Sequence, residues 1–200
     1  MALDDTVVQL IDLLDSKPAL ETAIKQLDSG ELLQVAEGLK RQTLFYLRRD
    51  APKAFAVTDL ILQIADCHQE PLARALGLQT KAIALTLSNR EFEVALDLFA
   101  ASEAIYAEHN DVLSIAVGQV TRVWALACLQ RFDEAYAAGQ WAERILTENG
   151  AHRTLAALNN NLAAIYGRRG QDNEALLRIL KVEAAYKQLG EEGERRLPLA

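Results

Sequence analysis

A residue pattern that returns every 40 positions constrains this chain more than any single motif in it. Ala95, Ala135 and Ala175 stand at that interval, as do Phe92 and Phe132, while Ile83, Val123 and Ala163 share a second register. Asn110, Gly150 and Gly190 mark a third, and these residue types tolerate the left-handed backbone that ends a helix. A fixed period of this order means a stack of like units, because one unit cannot bury its apolar face alone and must cover it with a neighbour. The chain accordingly divides into a cap over 1–30 and four units over 31–70, 71–110, 111–150 and 151–190. Residues 191–200 remain, as a polar tail or the start of a further, truncated unit.

The clearest unit shows what is being repeated. In LNNNLAAIYGRRGQDNEAL, from Leu158 to Leu176, Leu158, Leu162 and Ile165 fall at helical spacing, Gly170 stops the helix, and Ala175, Ile179, Val182 and Tyr186 open a second apolar stripe. Two antiparallel helices joined by a tight turn follow, with Ala163 and Ala175 small enough to let the backbones approach and Tyr166 filling the space beside them. The register predicts that Ala135 is buried between the helices of its own unit. The prolines at 18, 52, 71 and 198 fall near element boundaries, and no stretch alternates as a strand would, so the fold class is all-α. Within 1–30, Val7, Leu10, Ile11 and Leu14 form a stripe that is expected to cover the edge of the first unit.

Small and large residues in this order, with the turn closed by Gly170, resemble the tetratricopeptide repeat, whose usual period is about 34 residues. The longer period with LNNNLAAIYGRRG is similar to the long-helix variety in kinesin light chains and in bacterial regulators such as the maltose-regulator-like ATPases and the CHAT proteins. The match is good for 151–190, fair for 71–150 and poor for 31–70, where Phe55 replaces the small alanine and Pro52 replaces the phenylalanine. Arg122 also departs from the pattern, standing in the register of Leu162. The resemblance implies a right-handed α-solenoid of stacked helix pairs.

Charge and composition exclude several functions. A net charge of −7 supplies no basic footprint for nucleic acid or an acidic membrane, despite local pairs at Arg48-Arg49 and Arg168-Arg169. No apolar run approaches the roughly 18 residues that span a bilayer, and the stretch up to Leu14 lacks the basic start of a signal peptide, so a cytoplasmic protein is expected. Cys67 and Cys128 are too far apart for a disulfide framework, and Cys67-His68 has no second ligand pair to complete a zinc shell. His68, His109 and His152 sit at unit boundaries, and no nucleophile elbow, phosphate-binding loop or H-E-x-x-H occurs. Neither an enzyme nor a cofactor or metal protein is expected.

A binding surface fits better. By the resemblance, the first helix of each unit lines a concave groove, placing Thr80 and Lys81, then Val120 and Trp124, then Asn160, Asn161 and Arg168, where an extended peptide or partner protein would lie. Asn161 corresponds to the asparagine that tetratricopeptide proteins use to hold a ligand's backbone amide. Two functions are open at this point: a stand-alone interaction module, or the sensor arm of a larger bacterial enzyme or regulator continuing beyond residue 200. The last helix, with Leu176, Leu180 and Tyr186, has no following unit to cover it and offers a route to homo-oligomers.

Overall fold

The helix boundaries follow the punctuation of the sequence. The computed structural model describes residues 3–188, and its elements are α1 (Leu3–Asp12), α2 (Lys17–Lys25), α3 (Leu32–Tyr46), α4 (Ala51–His68), α5 (Pro71–Leu87), α6 (Phe92–Glu108), α7 (Val112–Cys128), α8 (Phe132–Glu148), α9 (His152–Arg168) and α10 (Asp172–Gln188). No strand occurs among the described residues. The starts of α6, α8 and α10 at Phe92, Phe132 and Asp172 are 40 residues apart, as are those of α7 and α9.

Each end has a local cause. Asp50 and Asp111 cap α4 and α7 by accepting the Lys53 and Ser114 backbone N–H groups at 3.1 and 3.0 Å, relieving two donors that a helix start leaves unsatisfied. Pro52 and Pro71 occupy the first turn, where a missing N–H costs nothing. At the other end Asn110, Gly150 and Gly170 take φ of 58°, 63° and 68°, the left-handed turn that releases the chain into the next helix. Gly190, in the same register as Asn110 and Gly150, lies outside the described residues, as does everything from 191 to 200.

The chain forms two compact units, and the division runs through α6: residues up to Arg90 with Asp97–His109 make the first, Glu91–Leu96 with the chain from Asn110 the second. In the first, α3 packs on α4 and α5, α4 packs on α5, and α1 and α2 lie on α3 and α4. Its core contains Leu10, Val35, Leu39, Leu60, Ile61 and Ile64. Each leucine or isoleucine taken fully out of water contributes about 1.5–3 kcal/mol.

The second unit repeats the scheme: α7 on α8 and α9, α8 on α9, and α9 on α10. Ala135, Ala142 and Ala116 are fully buried in it, beside Leu126, Leu146 and Leu158. Gly139 of α8 explains the close approach there, since a Cβ on it would stand 2.9 Å from Leu162 Cδ2. Both of the chain's tryptophans, Trp124 and Trp141, pack against this core, and neither lies in the first unit. Sequential helix pairs whose first members also pack on each other, α3 on α5 and α7 on α9, make this an all-α helical-repeat fold of the solenoid class.

Candidate partner-binding site

Four of the seven residues singled out from the sequence meet where α7 and α9 pack. The Asn161 side-chain amide donates to the Val120 backbone carbonyl at 2.6 Å, using the second lone pair of an oxygen that also serves its own helix. Two turns along α9, the Arg168 guanidinium lies 4.6 Å from the centre of the Trp124 ring. An arginine over an indole face is held by the ring quadrupole, by about 0.5–1 kcal/mol at an exposed site. Val120, Trp124, Asn160 and Asn161 are half-buried and Arg168 is exposed, so the cluster is built into the surface and still reachable from solvent. One turn past Trp124, burial pushes the Cys128 thiol above its ordinary pKa, and the nearby Arg168 only partly offsets this.

One of the two N–H groups of Asn161 is therefore used in tying α9 to α7.

The two candidates on α5 stand in the first unit, and burial overturns the expectation for Thr80. Thr80 is fully buried and its hydroxyl donates to the Leu76 carbonyl at 2.7 Å, so it presents nothing to a partner. Lys81 is half-buried and paired with Asp59 at 2.8 Å, which ties α5 to α4. Gly77 and Ala84 in the same stretch are buried as well. Arg122 is half-buried, and its guanidinium donates to the Gln119 side-chain oxygen at 3.1 Å.

A second cluster on the α8, α9 and α10 side was not anticipated. Glu143 accepts hydrogen bonds from Arg178 and Lys181, both at 2.5 Å, and Arg178 also donates to the Asn159 side-chain oxygen at 2.9 Å. Burial works against ionising Glu143, but the bonds from Lys181 and Arg178 outweigh it and hold the carboxyl below its ordinary pKa. Beside it Tyr136 and Tyr166 stack with centroids 4.5 Å apart, the Tyr136 hydroxyl donates to Gln171 at 3.1 Å, and Arg169 lies over Phe132. The signal that would have found them is separation: Glu143 with Arg178, and Tyr136 with Gln171, are each 35 residues apart, close to one period. Complementary residues about a period apart become neighbours in such a fold.

Elsewhere the polar groups serve structure. His68 Nε2 shares a hydrogen bond with the Ile24 carbonyl at 2.8 Å, and among the described residues no group of three His, Cys, Asp or Glu gathers that could hold a metal ion. Among the same residues no helix is long and apolar enough to cross a membrane. The fold and this surface define the class, an α-helical repeat protein. Compared with family models, curated proteins and solved structures, the chain matches none.

Proposed function

We propose that this is a protein–protein interaction module of tetratricopeptide type, binding an extended peptide or partner segment on the α7–α9 face. The observation that carries the proposal is Arg168 held over Trp124, next to the Val120–Asn161 bond. An aromatic presented with a guanidinium and an amide is the mixture at which interface energy concentrates. Trp124 supplies flat apolar area at small entropic cost, Arg168 pairs with a carboxylate, and Asn160 and Asn161 hold peptide backbone. Two free cysteines and the acidic balance accord with a cytoplasmic setting.

The test is affinity capture from native extract with wild type beside Arg168→Glu, a change at an exposed position that leaves Asn161 and its structural bond intact. We expect the same helical content by circular dichroism, and partners recovered by wild type to be depleted about tenfold or more from the variant. Identical partner sets from two equally folded proteins would move the site away from this face.

A further inference from the structure

Helix α10 is tied down along one side and bare along the other. Its inward side packs on α9 and bonds to Glu143 of α8 through Arg178 and Lys181. Its outward side exposes Leu176, Leu177 and Leu180 at 58, 60 and 51%, and the first two are the most solvent-exposed large apolar side chains among the described residues. Three leucines at spacing i, i+1 and i+4 form one continuous patch on a helix surface. Scattered exposed leucines need no explanation, but a contiguous row does.

The charges at the two ends of α10 indicate what covers this row. Asp172 and Glu174 stand in its first turn and Lys187 in its last. Such a helix is complementary to itself when reversed. A copy laid antiparallel across it, with the two-fold axis passing near Leu180, sets Lys187 of each chain beside Asp172 of the other and closes the leucines between them. A parallel pairing would oppose like charges at both ends. Closed two-fold contacts through one self-complementary patch are the commonest form of soluble oligomer.

We infer that the occupant of this face is a second copy of the same chain, in an antiparallel, two-fold α10 to α10 contact. It is separate from the α7–α9 proposal and does not depend on it. Each molecule then carries one such contact and the assembly stops at two.

Sedimentation equilibrium of the intact chain, from low to high micromolar concentration, measures the association directly. The expected result is a monomer–dimer equilibrium that Leu177→Asp weakens by about tenfold or more without loss of helical content. Lys187→Glu, which opposes like charges at both ends of the contact, weakens it as well. Near the axis a residue faces its own counterpart, so Leu180→Cys in a Cys67→Ser background forms a dimer cross-linked by disulfide on mild oxidation, whereas Cys67→Ser alone does not. A chain that stays monomeric at high micromolar concentration overturns the inference, as does a dimer indifferent to Leu177→Asp. If the intact chain is monomeric and dimerises only when residues 189–200 are removed, that segment is the occupant and the inference fails in that way.

Discussion

Glu143 is a carboxylate that its surroundings both discourage and reward for ionising, and the reward is larger. Its pKa in the folded protein lies below that of the unfolded chain, so the charged form stabilises the native state above the ordinary glutamate value of about 4.3. That contribution is lost as the pH falls below this value toward the folded one. Replacing Glu143 with Gln leaves Lys181 without its carboxylate and Arg178 with Asn159 alone, at a cost of about 1–3 kcal/mol near neutral pH. Urea titrations of both proteins are expected to show this difference near pH 7 and its shrinkage as the pH falls through the lowered folded-state pKa of Glu143 and the wild-type side chain becomes neutral. A difference that persists undiminished in acid would mean that the side chain acts through packing and not through charge.

At the scale of the helix, the caps carry the argument. The Asp111 carboxylate satisfies the Ser114 N–H and starts α7, the helix that presents Val120 and Trp124. Asp111→Ala is therefore expected to destabilise the protein by about 0.5–2 kcal/mol, read as a lower urea midpoint with an unchanged slope. These same signals made the elements legible from sequence: proline in first turns, Asp at starts, Asn or Gly at ends, and a period that repeats them. Side-chain partnerships were less legible. The period places Thr80 and Asn160 in equivalent backbone positions, yet one is sealed in and the other half-exposed, because what covers a position depends on neighbours the period does not specify. The Asn161 bond to Val120 was not legible, because it depends on how closely α7 and α9 approach, a distance that no local pattern encodes. The Glu143 cluster escaped because its members are helix-surface charges, which look solvated when each helix is considered by itself.

At the scale of the molecule, each compact unit carries a hydrophobic cluster of its own. Leu39 lies at the centre of the first and Leu126 of the second, both with no exposed surface. Truncating either to Ala removes buried methyl groups and leaves a cavity, costing about 2–5 kcal/mol. In a repeat fold the loss is felt first by the units that share the cavity. Hydrogen exchange by mass spectrometry is expected to show Leu39→Ala accelerating amides of α1 to α5 and Leu126→Ala those of α7 to α10. Uniform acceleration across the chain by both would mean that the two cores melt as one.

The placement of Trp124 and Trp141, both against the second core, gives the molecule an optical asymmetry. Indole emission registers the environment of α7 and α8 and is blind to α1 to α5, while far-ultraviolet ellipticity sums over every helix. One unmodified sample therefore carries a local and a global reporter. A melt in which the two curves separate would date the loosening of one half against the other, with no label attached.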